Sequence, residues 1–338
     1  YKIRMMEVGF DSTKYIKAQK KKILERIGKF EKLYLEFGGK LLYDHHATRV
    51  LPGYNLTTKI DLLKQFDEAE IIYCVNANYI EKWYKLTDSN LTHDWQFLRD
   101  IKGIEKFGLK VSNVIIMRYE KQPKAKAFKD KLEKLGYNAH LFNDISYDFS
   151  NIKNILEGYS KQKLIPTKNK LVIVTGVGGG SGKMSFALSQ IYKERKKVVK
   201  VGFAKFETFP IWNLPLNHPV NIAYEAATAD LQDINMIDPF HKKAYKIDAV
   251  NYNRDIENFT ILQNLMEKLT KEKNPFGYKS PTDMGVNMAK AGITDDDICK
   301  EAGKKEIKRR YKIYSQQVKE GVEEKSTIER MKVILEKV

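Results

Sequence analysis

Cysteine is nearly absent from this chain: Cys74 and Cys299 are the two in 338 residues, and they lie far apart. A disulfide between them is not expected, and two free thiols fit a cytosolic protein. No apolar run approaches the roughly 20 residues of a membrane-spanning helix. Tyr1-Lys-Ile-Arg-Met-Met-Glu-Val8 lacks the apolar core of a signal peptide, so the expectation is a cytoplasmic protein with no membrane partner. Zinc-finger spacing, an RNP aromatic pattern and an obvious recognition helix are all missing. So are internal repeats and low-complexity tracts.

What the chain has in excess is positive charge, +17 from 60 basic and 43 acidic residues. Lysine is spread along the whole length, which argues against nucleic acid as the main partner. Small polyanions such as nucleotides are the more economical use of such a field. Hydrophobic residues at 42% and charged residues at 30% are those of a globular protein long enough for two substantial cores.

The hydrophobic pattern predicts α/β architecture. Asp11-Ser-Thr caps a helix reaching about Gly28, and Leu33–Phe37 reads as a short strand. Helix and strand then alternate: helix 59–66, strand 69–75, helix 94–107, strand 111–118, helix 125–135, strand 137–142. Short Gly-bearing connections between such units argue for a mainly parallel sheet covered by helices. From Asn143 to Asn169 the periodicity weakens, which sets a candidate boundary between an N-terminal α/β domain (1–165) and a second, P-loop-like unit (166–278), with one sheet continuing across it as the alternative. That unit carries strands 170–175, 197–204 and 248–252 and helices 184–195 and 255–269. After Pro275 and Pro281 the pattern is helical only, over 282–291, 295–318 and 327–338. Residues 279–338 therefore read as a small C-terminal helical subdomain or interaction arm.

The run Leu171-Val-Ile-Val-Thr-Gly-Val-Gly-Gly-Gly-Ser-Gly-Lys-Met-Ser185 carries the most chemistry. A buried strand, a glycine turn, a lysine and a helix start bring backbone N–H groups, a helix N-terminus and an ammonium to one point, the arrangement that holds phosphate. Candidate ligands are Gly178, Gly179, Gly180, Ser181, Gly182 and Lys183. The P-loop pattern G-x-x-x-x-G-K-[ST] would place glycine at 177 and a hydroxyl at 184. Val177 and Met184 stand there instead, so the usual magnesium ligand is missing; Ser185 lies about 100° further round the helix. The bland alternative is a turn that only lets strand and helix pack closely.

Ligands of open α/β sheets bind beyond the carboxyl ends of strands, which adds Lys205 and Glu207 after one strand and Arg254 after another. Arg254 suits a phosphate or carboxylate, or equally a structural bridge to Asp255 or Glu257. Between these segments lie Glu225, Asp230, Asp233, Asp238 and His241. Asp230, Asp233 and Asp238 are the candidate magnesium ligands; Glu207, Asp230 and His241 are catalytic candidates by location. Helix caps and solvated faces are the competing use of the same carboxylates. In the first half, Asn76-Ala-Asn78 and a pocket of Gly38-Gly39-Lys40 with His46 and Arg49 offer polar contacts. Asp44-His-His46 has the look of a metal-phosphoesterase triplet, but no Asp-x-Asp pair precedes it.

Long strings of the chain resemble the bacterial uncharacterised protein family 0371, domain of unknown function 1846. They include Leu35-Glu-Phe-Gly-Gly-Lys-Leu41, His46-Ala-Thr-Arg-Val-Leu-Pro-Gly53, Gly180-Ser-Gly-Lys-Met184, Ala204-Lys-Phe-Glu-Thr-Phe-Pro-Ile-Trp-Asn-Leu-Pro-Leu216 and Asn235-Met-Ile-Asp-Pro-Phe-His241. The resemblance implies no activity, since the family has none established. It does imply that Met184 is the usual residue after the lysine, that His46 rather than His45 belongs to the pattern, and that members extend beyond Val338 with another α/β domain.

Three functions compete on these residues. One is an enzyme using ATP or another phosphate compound, with Lys183 stabilising phosphate charge and Mg2+ held by the aspartates or by phosphates and water. The second is a non-catalytic sensor of a small phosphorylated ligand, signalling through its helical arm and its homo-oligomeric state. The third is a phosphoesterase on Asp44, His45 and His46.

Overall fold

Six segments rich in β-branched and aromatic residues pair in parallel into one sheet: β1 (Lys32–Phe37), β2 (Ala69–Asn76), β3 (Val111–Tyr119), β4 (Ala139–Asn143), β5 (Leu171–Gly176) and β6 (Val201–Phe206). The computed structural model describes residues 7–86, 89–145, 151–197, 200–206 and 209–338. The spatial order is β4-β3-β2-β5-β1-β6. Every residue of β5 is buried, as a central parallel strand with helices on both faces requires.

Helices fill the connections. α1 (Ser12–Ile27) precedes β1, and its N-cap Asp11 accepts from the amides of Thr13 and Lys14. α2 (His45–Val50) and α3 (Thr58–Leu63) lie between β1 and β2, α4 (Ala77–Glu81) and α5 (His93–Lys106) between β2 and β3. α6 (Pro123–Lys134) leads to β4, α7 (Ile152–Lys161) to β5 and α8 (Lys183–Arg195) to β6. The chain moves one way along the sheet from β1 to β4 and the other way from β4 to β6. Right-handed crossovers therefore place the two sets of helices on opposite faces.

Beyond β6 come α9 (Pro219–Ala227), β7 (Asn235–Ile237), α10 (Pro239–Tyr245), β8 (Val250–Tyr252), α11 (Asn253–Thr270), α12 (Pro281–Met284), α13 (Asp296–Lys319) and α14 (Lys325–Leu335). α13 packs on α9 and α2, and α14 on α13 and α9. The carboxylate of Glu225, 1% exposed, anchors α14 through Arg330 and through Lys337 at 2.7 Å.

The architecture is the α/β fold with a mainly parallel sheet and C-terminal helices that the pattern predicts; of the two arrangements open at residue 165 it has the continuous sheet, and three elements differ in detail. β5 enters between β2 and β1 and β6 lies outside β1, so strands on both sides of residue 165 share one sheet. The stretch of weak periodicity contains α7, capped by Asn151 and buried through Ile155 and Tyr159. β8 does not join the main sheet; it pairs antiparallel with β7 in a two-stranded ribbon. The helix expected over 282–291 breaks after α12, because the chain turns to run beside β6: Val286 N–H donates to Lys205 O at 2.8 Å. Buried Gln19 holds this extended piece, donating to Val286 O at 2.6 Å and accepting from Met288 N–H at 2.8 Å.

Candidate functional site

β2 and β5 are neighbours whose onward connections leave in opposite directions, so a crevice opens beyond their carboxyl ends. The glycine turn stands there. β5 ends at Gly176, residues 177–182 form the turn, and Lys183 begins α8. Gly180 and Gly182 adopt φ of 71° and 83°, a region open to glycine and strained for other residues. A Cβ on Gly182 would stand 2.9 Å from Met117 Cβ, and one on Gly180 would stand 2.8 Å from Tyr79 Oη.

The turn is one residue longer than the P-loop spacing, and Ser181 takes up the slack. Its buried hydroxyl accepts from Gly178 N–H at 3.1 Å and donates to Gly178 O at 2.7 Å. The Ser181 hydroxyl and the Gly178 amide, both candidate ligands, are thus engaged inside the turn. Lys183 is 8% exposed, and its Nζ arches back to donate to Gly178 O at 3.0 Å. The amides of Gly179, Gly180 and Gly182 donate to no acceptor among the described residues, while Ser181 closes the turn over Gly179-Gly180. They stand at the N-terminus of α8, beside the Lys183 ammonium.

Two flanking strands complete the crevice. From β2, Asn76 donates Nδ2–H to Gly180 O at 2.9 Å and accepts from Asn78 N–H at 2.9 Å, bracing the turn. From β1, Glu36 lies beside Val174 of β5 and Lys205 of β6 in the strand register. Its Oε2 is buried and has no hydrogen-bond partner among the described residues. Burial pushes the thiol of neighbouring Cys74 up, while Lys183 and Glu36 act on it in opposite senses. Lys183 and Glu36 therefore reach the same region from α8 and β1. Glu36 is missing from the sequence-derived candidates, although a lone carboxylate in Leu33-Tyr-Leu-Glu-Phe37 was the available signal.

The remaining candidates do not converge on the turn. Lys205 pairs with Asp255 of α11 at 2.9 Å. Arg254 pairs with Asp233 at 3.1 Å, a structural bridge to a partner other than the Asp255 or Glu257 expected. Glu207 lies outside the described residues. Asp230 accepts from the Tyr314 hydroxyl at 3.1 Å, and burial raises its carboxyl pKa, as it does for Asp233. Asp238 is fully buried: one oxygen caps α10 at the amides of Phe240 and His241, and the other accepts from Thr282 N–H and Oγ1–H. His241 Nδ1 lies 2.9 Å from Ser280 Oγ. Asp230, Asp233 and Asp238 thus serve three separate structural contacts, and the described residues hold no group of three or more His, Cys, Asp or Glu side chains arranged for a metal ion.

The Asp44-His-His46 triplet also comes apart. Asp44 caps α2 and pairs with buried Lys59 at 2.9 Å. His45 packs by Tyr43, and His46 turns inward, its ring edge-on to Tyr224 at 4.3 Å and its Nδ1 3.2 Å from Glu306. Burial lowers the His46 pKa. Arg49 donates to the second Glu306 oxygen at 2.8 Å, so the His46 and Arg49 expected in a pocket instead hold α13 to α2.

A family model described as Domain of unknown function DUF1846, N-terminal, matches residues 8–338. A UPF0371 protein of Clostridium tetani (strain Massachusetts / E88) is 49% identical over 333 residues, which cover 98% of this chain and 66% of the relative. UPF0371 proteins of Clostridium botulinum are similar at 47% (strain Alaska E43 / Type E3) and 48% (strain Kyoto / Type A2) identity over 336 residues, with the same coverage. The chain thus spans 66% of the length of these curated relatives. Among the described residues no helix is long and apolar enough to cross a membrane.

Proposed function

The chain belongs to the family of the DUF1846 N-terminal domain, and we propose that its glycine turn binds a small phosphate-bearing ligand. The observation that carries this reading is that the amides of Gly179, Gly180 and Gly182 have no acceptor among the described residues, at the start of α8 and beside the Lys183 ammonium. Backbone N–H groups and a helix N-terminus favour a compact anion with several acceptor oxygens. Lys183 gives up its bond to Gly178 O, or shares it, to meet a phosphate oxygen.

Glu36 gives the site a carboxylate that no described protein group neutralises by hydrogen bonding. A carboxylate beside a phosphate repels it unless a proton or a cation comes between, and Mg2+ commonly bridges one carboxylate to phosphate oxygens. With Met184 in the hydroxyl position, Glu36 is the group in this crevice suited to that bridge. Binding is the core of the reading; phosphate transfer would fall to the same Lys183 and Glu36.

Isothermal titration of the protein with tripolyphosphate, alone and with Mg2+, tests it. Replacing Lys183 by Ala removes a charge-assisted hydrogen bond worth about 1.5–3 kcal/mol, or roughly 10- to 150-fold in Kd. Equal affinity of wild type and Lys183→Ala, or no binding by either, would reject the proposal.

A further inference from the structure

We infer that the phosphate-bearing ligand is a nucleotide, with its base on an aromatic patch that the β2–α5 connection sets beside the glycine turn. This inference rests on the phosphate reading above. The patch and the turn are in contact: Tyr79 Oη stands against Gly180, and Leu86 Cδ2 lies 3.7 Å from where a Cβ on Gly178 would be. Tyr84 stacks on Tyr79, with ring centroids 5.1 Å apart and planes inclined by 27°, yet stays 55% exposed. Trp83 beside it is 53% exposed and has Lys124 over its ring. Tyr84, this open and already stacked on Tyr79, presents a platform for a flat apolar ring.

His93 at the start of α5 adds a second and independent observation. It is 2% exposed, its ring lies 4.7 Å from that of Tyr79 and 5.9 Å from that of Tyr84, and neither ring nitrogen has a hydrogen-bond partner among the described residues. Burial lowers its pKa, so at neutral pH it carries one N–H donor and one lone pair. Buried polar groups are normally paired, and an unmet donor and acceptor at the inner edge of an aromatic patch suit the nitrogen-bearing edge of a nucleobase. The crevice then divides between its walls. β5 and α8 take the phosphates, and the β2–α5 connection takes the base, across the point where the sheet changes direction.

Calorimetric titration of the full chain with ATP, GTP, CTP, UTP and tripolyphosphate separates the two levels of the argument. Stacking on an aromatic ring contributes about 1–3 kcal/mol per base, so the best nucleotide binds wild type about 5- to 150-fold tighter than tripolyphosphate. Tyr84→Ala, an exposed position, erases that advantage and leaves tripolyphosphate affinity unchanged. Tyr84→Phe retains it, and His93→Phe reduces the preference among bases. If every nucleotide binds wild type no better than tripolyphosphate while Lys183→Ala weakens all of them, the nucleotide inference fails and the phosphate reading stands. Absence of binding by all five overturns both.

Discussion

Gly182 and Gly179 sit three residues apart in one turn, yet a methyl group would meet different fates at the two. At Gly182 it would combine a left-handed φ of 83° with a 2.9 Å approach to Met117 Cβ. At Gly179 no atom lies within 4 Å and the backbone is not left-handed. Gly182→Ala is expected to destabilise the protein by about 1–3 kcal/mol, and Gly179→Ala by less than about 0.5 kcal/mol. Urea unfolding of the two variants checks this; equal midpoints would mean the turn is not held as described. The turn and the start of its helix were legible in the sequence, because a glycine run after a buried strand and before a helical pattern marks both. Ser181, Arg254 and Asp238 were read as ligand or metal groups, with a structural bridge as the alternative for Arg254; each makes a contact within the protein, in a turn, an ion pair and a helix cap. Glu36 and His93 were invisible for the opposite reason, since what marks them is a missing partner in space.

α13 shows how one residue fixes an element. Glu306, 2% exposed, faces His46 and Arg49 of α2 and also Arg309 and Arg310 of its own helix. Burial would raise its carboxyl pKa, but the hydrogen bonds from His46 and Arg49, with their charges, outweigh that and hold it at about 2. An unfolded glutamate titrates near about 4.3. A depressed folded pKa means the stabilisation is complete above the unfolded value and is lost as pH falls from there through about 2. Glu306→Gln should therefore lower stability by about 3 kcal/mol at pH 7 and flatten the loss of stability between pH 4.5 and pH 2, by about the same amount. Parallel stability curves for wild type and variant across that window would contradict the assignment. Most elements were legible from apolar period alone, α1 and β5 most clearly. α7 was passed over although Ile155 and Tyr159 stand four apart behind an Asn cap. β8 was read as a sheet strand because three residues of alternating pattern do not say which strand they pair with.

At the scale of the molecule, alternation predicted the parallel sheet, but nothing local in the sequence could show that β5 inserts between β1 and β2. That insertion is a contact between segments about a hundred residues apart, and it creates the crevice. The net charge of +17 attracts anions to many places, including an open groove of about 940 Å³ beside α1 that Lys17, Lys20 and Lys21 help to line. A bound anion therefore supports the account only if its position is known. Anomalous diffraction from crystals soaked in tungstate, a heavy mimic of phosphate, supplies that position. The account predicts the strongest anomalous peak within hydrogen-bonding distance of the Gly179, Gly180 and Gly182 amides and Lys183 Nζ, and its loss in Lys183→Ala. A wild-type peak confined to the α1 lysines, or no peak at the turn, would contradict it.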